Sequence, residues 1–522
     1  MGSPATLNKS GGHLCGDTLT SAMHRTRLLA ATVFALAATA GLATAGLVLA
    51  GCGGSGTAAT TTPPPPLPNL IPSLQPYPTP SGTESTYSAT GGVDPNGIFF
   101  QALGTNPRSC ASCHQLSQGM GLSAASAQAL YSTSNGAAPL FAAVDGANCP
   151  SVAASDSAGH SLVVNNGLIR IVETLPANPQ FTMAVAQDPY GCAATSGPGG
   201  QTTYSVYRRP LPSTSLTAQS QLMWDARFTS APLNAAATLS ANLETDLSAQ
   251  AADAITTHEQ GSAAPTAAQL GELVAFEEGL FTAEASDTQA GPLNAGGATG
   301  GAAALAAQAY YPGINDAFGQ DPKGAPFNKV VFTLFAAWEG SANPAQASIA
   351  RGEDLFNSAP MQITDVRGLN DNPALGSPAL ITGTCGTCHD APNIGTHSLP
   401  LTMDIGTSHL LSIETDANII GGLQSLTIPI LPVYQISGCT DASGNAVVYV
   451  TTDPGSALTT GQCADVNRMK VPDLRGLAAR APYFHNGSAA NLGQLVQFYS
   501  TRFQMNLNPQ QLVDLQNFLA AL

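Results

Sequence analysis

Cys110-Ala111-Ser112-Cys113-His114 and Cys385-Gly386-Thr387-Cys388-His389 are the two stretches whose residue types and spacing do the most chemistry. Two thiols three positions apart reach the two vinyl groups of one porphyrin and form thioethers with them. The imidazole that follows then meets the iron from the proximal side, so Cys-x-x-Cys-His reads as the attachment signature of c-type haem. A single Cys-x-x-Cys also serves as a redox dithiol or as half of a zinc site. Here both copies carry the histidine. The reading is two covalently bound haem c groups, one held by Cys110, Cys113 and His114, the other by Cys385, Cys388 and His389, with both histidines as iron ligands.

The elements that must position these motifs are partly visible. A short helical stretch precedes each one, at 97–104 and at 350–356. The chain ends in a predicted helix over 509–522, with Leu512, Leu515, Phe518, Leu519 and Leu522 at helical spacing. Helix-to-haem followed by a crossing C-terminal helix is the arrangement of cytochrome c folds. Residues 266–284 read as an amphipathic helix through Leu270, Leu273, Val274, Phe276 and Leu280. The Ala/Gly-rich stretch 291–307 reads as a surface loop. Segments 427–436 and 446–451 alternate β-branched residues around Asp441-Ala442-Ser443-Gly444-Asn445, which predicts a hairpin.

Of ten cysteines, four belong to the haem motifs. Cys149, Cys192, Cys439 and Cys463 allow three pairings, the simplest being Cys149–Cys192 and Cys439–Cys463. Cys52 ends the run Leu49-Ala50-Gly51-Cys52, after a basic start (His24, Arg25, Arg27) and an apolar stretch over 28–49. That is the pattern of an export signal, and its end resembles a bacterial lipobox with an acylated cysteine. The alternative is a retained anchor, since about 20 apolar residues span a bilayer. The prediction is an exported chain, periplasmic or attached to the outer membrane through lipid on Cys52. Prolines crowd 60–80, which predicts an extended tether. A net charge of −16 with no Lys/Arg-rich run excludes nucleic acid and suits a basic or dipolar protein partner.

The stretch Val471-Pro472-Asp473-Leu474-Arg475-Gly476-Leu477-Ala478-Ala479-Arg480-Ala481-Pro482-Tyr483-Phe484-His485-Asn486-Gly487-Ser488 closely resembles a hallmark of bacterial di-haem cytochrome c peroxidases and MauG-type oxidases. Met223-Trp224-Asp225-Ala226-Arg227 resembles the family's F-W-D-G-R, and the resemblance spans most of 95–522. It implies a mainly α fold: two cytochrome c-like haem domains packed together, with long loops and a small β-hairpin in the second. The expected division is 1–51 extension and signal, 52–90 tether, 91–345 N-terminal peroxidatic-type domain, 346–522 C-terminal electron-transfer-type domain. The resemblance also implies that electrons enter at the C-terminal haem, pass Trp224 between the haems, and reach peroxide at the N-terminal one. The second axial ligand of the C-terminal haem falls fourteen residues after His485, at Tyr499; Met469, Met505 and His397 are the alternatives.

Departures from the family pattern gather at the N-terminal haem. The position of its distal histidine is Gln201, ahead of Arg208-Arg209-Pro210. Leu247-Ser248-Ala249-Gln250-Ala251 resembles L-E-x-Q-A, and Gln250, Ala254 and His258 share one helical face. Glu259 stands where a catalytic glutamate is expected, with two readings open: Glu259 as acid–base residue, or His258 capping the iron. A calcium ion bound by an Asn and two carbonyls is doubtful, because the Asn position is Arg209, a cation beside the carbonyls of Arg480 and Pro482. The implied activity is two-electron reduction of hydrogen peroxide, with electrons from a small cytochrome or cupredoxin. The alternatives are a non-catalytic di-haem electron-transfer cytochrome and a MauG-like oxidase acting on a protein.

Overall fold

In the computed structural model residues 69–230, 236–441 and 443–522 are described, and residues 66–522 cluster as one unit. The export signal, Cys52 and the first part of the proline-rich tether lie outside the described residues. The remainder of the expected tether region is folded: Ile71–Pro72 pairs with Gly92–Val93, and Pro76–Pro78 pairs with Gly82–Ser88. No helix among the described residues is long and apolar enough to cross a membrane.

The expectation of a mainly α fold with two cytochrome c-like domains is overturned: the chain is 30% helix and 18% strand, with several sheets. The physical reason lies in the segments between the motifs. Ile169–Thr174 and Thr202–Arg208 alternate β-branched and aromatic residues and pair in antiparallel register, and Leu280–Asp287 pairs with Gly82–Ser88. The stretch before Cys110 supplies only a single 3-10 turn, Ile98–Phe100, instead of a helix.

The second motif does have helices about it. Pro344–Ser358, capped by Asn343, packs on the C-terminal helix Pro509–Ala520, capped by Asn508. Gly352 sits at the contact, where a Cβ would lie 2.0 Å from the Asp514 carbonyl oxygen; only glycine lets the backbones approach so closely. Phe332, Phe356 and Phe518 interlock around the crossing with ring centroids 5.0–5.7 Å apart. The helix predicted over 266–284 ends earlier, as Ala267–Glu278, because Leu280–Asp287 leaves it to join the four-stranded sheet.

The hairpin forms from Val433–Thr440 and Ala446–Thr451, and Thr182–Gln187 from the first half of the chain adds a third strand to it. Both disulfides are present as the simplest pairing expected, Cys149–Cys192 and Cys439–Cys463.

Candidate functional site: two cavities, each opened by a Cys-x-x-Cys-His motif

Two large apolar cavities lie in the core. One, about 1530 Å³ counting its solvent-open mouth, is lined by Cys385, Cys388 and His389. The other, about 1390 Å³ on the same measure, is lined by Cys110, Cys113 and His114.

Each motif forms a single 3-10 turn whose preceding hydroxyl residue makes a reciprocal cap, Ser109 with Ser112 and Thr384 with Thr387. The turn presents two thiols and an imidazole from adjacent backbone positions. In each case the ring is braced through Nδ1. His389 Nδ1 lies 2.5 Å from the Gly395 carbonyl oxygen, and His114 Nδ1 lies 3.2 Å from that of Met120 and 3.1 Å from Ser213 Oγ. A proton on Nδ1 leaves Nε2 with its lone pair, the tautomer a metal ligand needs. Burial lowers both imidazoles to about 4, so both are neutral donors near pH 7. Gly395 holds its carbonyl in place with φ 78°, a conformation that favours glycine. Neutral imidazole, paired thiols and an apolar cradle fit a covalently attached haem at both places.

The His389 cavity is walled by apolar side chains, with Tyr499 and Met469 among them. Tyr499 lies on the helix Leu492–Arg502 and packs against Phe503 and Phe484 at 5.8 and 6.0 Å; burial pushes its phenol well above the ordinary value. Met361 and Met403 also line this cavity. They are thioether donors that spacing relative to His485 had no means of finding. Met505 and His397 do not line it. Met505 lies in the neighbouring core, and His397 donates from Nδ1 to the Cys388 carbonyl at 3.1 Å.

The His114 cavity is more polar. Gln250, Ala254 and His258 line it together, as their shared helical face requires. His258 Nδ1 is hydrogen-bonded to Asp145 Oδ2, and the other oxygen of Asp145 pairs with Arg108. Since Arg108 already balances that carboxylate, burial decides for the ring and lowers His258 to about 4. Asp145 and Arg108 had no signal in the sequence, for Asp145 lies 113 positions from His258. Glu259 also lines this cavity, but its Oε2 accepts from the Leu103 amide at 2.7 Å, and its backbone carbonyl accepts from Thr105 at 3.0 Å. Its carboxylate therefore ties down the loop leading to Cys110. Gln201 is exposed and lines neither cavity.

Trp224 lines both cavities. Its Nε1 donates to the Arg209 carbonyl at 2.8 Å, and its own carbonyl accepts from the Lys470 amide at 2.7 Å. Arg209, Lys470 and Asp473 are also shared by the two walls. The Lys470 ammonium donates to Gln219 and to the Gln221 carbonyl, and burial lowers it to about 8. The Arg209 guanidinium, buried, donates to the carbonyls of Asn166, Leu122 and Arg480. Of the two carbonyls that the resemblance would assign to calcium, that of Arg480 thus accepts from the Arg209 guanidinium.

Two cavities, each headed by two thiols and a neutral histidine, share a wall that holds Trp224, Arg209, Lys470 and Asp473, and their donor sets are those of a c-type haem protein. Comparison with known proteins finds a similarity over part of the chain. Over 118 residues, 23% of the chain, it is 29% identical to "Cytochrome-c peroxidase IdrP2" of Denitromonas iodatirespirans. The match spans 28% of that relative's length. Among solved structures, a MauG-like protein associated with microbial copper homeostasis aligns with 63% of this chain and 79% of its own, at 16% identity and a TM-score of 0.25. No family model matches. That stretch of 118 residues is a distant relative of a cytochrome-c peroxidase.

Proposed function

We propose that this chain is an exported di-haem oxidoreductase that reduces hydrogen peroxide with two electrons and two protons, releasing two water molecules. The observation that carries the reading is the asymmetry of the cavities on either side of Trp224. One is apolar with candidate second ligands in its wall; the other brings His258 and Gln250 to the open space before His114.

Haem held at each motif supplies one-electron redox chemistry and an iron to which peroxide binds. The chain does the rest. His258, fixed by Asp145, is a neutral base able to take the first peroxide proton and return it to the departing oxygen. The Gln250 amide orients the peroxide, and Glu259 positions the Cys110 loop. Trp224 sits in the wall through which electrons pass from the His389 side. The acidic chain suits a basic small cytochrome or cupredoxin as donor. Export and attachment through Cys52 follow from the Leu-Ala-Gly-Cys segment.

One feature favours a second reading. A histidine braced by a carboxylate is also how a permanent iron ligand is held. With His258 in that role, the protein is an electron-transfer cytochrome. The test is an optical and EPR spectrum of the purified ferric protein, before and after stoichiometric peroxide, with turnover assayed using a reduced small cytochrome. A high-spin centre that reacts with peroxide, and turnover lowered at least tenfold by Trp224→Phe, is the expected result. Two low-spin centres inert to peroxide after partial reduction would sink the peroxidase reading.

A further inference from the structure

Outside both cavities, Asp316, Asp390 and His397 bring one ligand atom each within 4.8 Å of the others, and each residue is 1% exposed or less. Each carboxylate has one oxygen committed to the backbone. Asp316 Oδ2 accepts from the amides of Phe318 (2.9 Å) and Gln320 (2.7 Å), and Asp390 Oδ1 accepts from that of Ser398 (2.7 Å). Asp390 Oδ2 is buried beside the His397 ring, and the other oxygen of Asp316, Oδ1, is buried without a hydrogen-bond partner. The same holds for His397 Nε2 and for the hydroxyl of Ser398. His397 Nδ1 lies 3.0 Å from Asp390 Oδ2. Among the described residues no lysine or arginine pairs with either carboxylate.

Buried carboxylates are costly unless a cation compensates them, and orphaned buried polar atoms are rare in folded proteins. A proton on His397 would balance one charge of two and would leave Asp316 Oδ1 without a partner. A dication balances both carboxylates and gives the orphan Asp316 Oδ1 a bond. We propose that Asp316, Asp390 and His397 bind one first-row divalent metal ion of the zinc type. Two carboxylates and an imidazole match the mixed oxygen and nitrogen donor set of such ions, with a further position left for water. Calcium, which takes six to eight oxygen ligands, finds too few here.

The site has a structural consequence. It would clamp the turn containing Asp316 onto the segment 390–398, which carries Gly395, the acceptor of the His389 ring proton. The inference stands on these atoms alone and does not depend on the peroxidase reading.

The experiment uses full-length haem-loaded protein, purified without metal-affinity resin, exchanged into zinc-containing buffer and desalted, with metals counted by mass spectrometry. The expected result is about one zinc per chain beyond the haem iron, with a melting temperature that rises on adding zinc and falls with a chelator. Asp316→Asn, which touches neither haem motif, lowers zinc affinity at least about tenfold, while the haem absorbance spectrum is unchanged. The wild-type titration stands by itself where the variant fails to fold. No zinc retained and no change in melting temperature overturns the proposal, assigning the charge balance to protonated His397. Equal zinc binding by wild type and a folded Asp316→Asn overturns it too.

Discussion

His258 and Glu259 are adjacent in sequence, yet the structure gives them different work. The imidazole lines the cavity and is held by Asp145, while the carboxylate accepts from the Leu103 amide through Oε2 and has Oε1 3.9 Å from the Cys110 sulfur. A neutral imidazole with a value near 4 stays unprotonated across pH 5–8, so on the proposed peroxidase reading turnover is expected to keep its base over that range and to lose it as pH falls through about 4. His258→Ala is expected to lower kcat/KM for peroxide by about 10²–10⁴ and to abolish that acid limb. Glu259→Gln, which keeps an oxygen for Leu103, changes kcat/KM far less; equal losses in the two variants would reverse the assignment. At the other cavity, Tyr499 and Met469 compete as second ligand. Tyr499→Phe is expected to convert the low-spin EPR signal of the His389 centre to high-spin, and Met469→Leu to leave it intact. The opposite pattern makes Met469 the ligand. The Cys-x-x-Cys-His turns and the shared helical face of Gln250 and His258 were legible because local spacing marks them, whereas Tyr499 was named through the family resemblance, fourteen positions after His485. Asp145, Met361 and Met403 were not legible, because their roles arise only from contacts between distant segments.

Strands, more than helices, separate the sequence reading from the fold. Helices with complete caps and periodic apolar faces, such as Pro509–Ala520, were legible, and so was the hairpin with its Asp441–Asn445 turn. The four-stranded sheet was not, since its strands Gly82–Ser88 and Leu280–Asp287 lie about 200 residues apart and carry glutamates in their buried middle. Glu84 and Glu284 stand directly opposite each other, each 0% exposed. Burial pushes Glu84 up to about 8 and Glu284 to about 7, so the pair folds protonated. In the unfolded chain both ionise near the ordinary 4.5. The folded state therefore binds more protons, and stability falls as pH rises from 4.5 towards 8. Buried His485, lowered to about 4, acts in the opposite sense only below about 6.5. Between pH 6.5 and 8 His409, raised against burial to about 10 by Asp404 and Glu414, adds to the same falling slope, so it is the difference between wild type and Glu84→Gln in urea unfolding that isolates Glu84. Glu84 alone is expected to remove on the order of 2 kcal/mol across that interval. Glu84→Gln, which keeps an acceptor for the Gly119 amide, flattens the slope; an unchanged slope would show that Glu84 does not titrate there.

On the scale of the whole molecule, the halves carrying the two motifs are joined by chemistry that each half lacks alone. Thr182–Gln187 completes a sheet with the hairpin of the second half, and Arg208 reaches across to Asp453. That arginine is buried, donating from Nε and Nη2 to Asp453 at 2.7 and 2.9 Å and from Nη1 to Asp225 at 2.5 Å. Asp225 follows Trp224 directly, so the triad Asp453–Arg208–Asp225, joined at Asp225 by Arg227 at 3.1 Å, anchors the tryptophan between the cavities to both halves. Two carboxylates around one guanidinium hold its charge firmly, and removing one leaves a buried cation half-compensated. Asp453→Ala is expected to destabilise the fold by about 3–5 kcal/mol, the usual loss on breaking a buried ion pair. Unfolding followed by haem absorbance and by far-ultraviolet circular dichroism distinguishes the consequences. If the halves fold as one unit, both probes report a single shared midpoint in wild type, and Asp453→Ala lowers it equally for both. Separate midpoints in wild type would mean that the halves unfold independently. The triad would then contribute to the placement of Trp224 without setting global stability, and Asp453→Ala would slow electron transfer between the centres more than it lowers either midpoint.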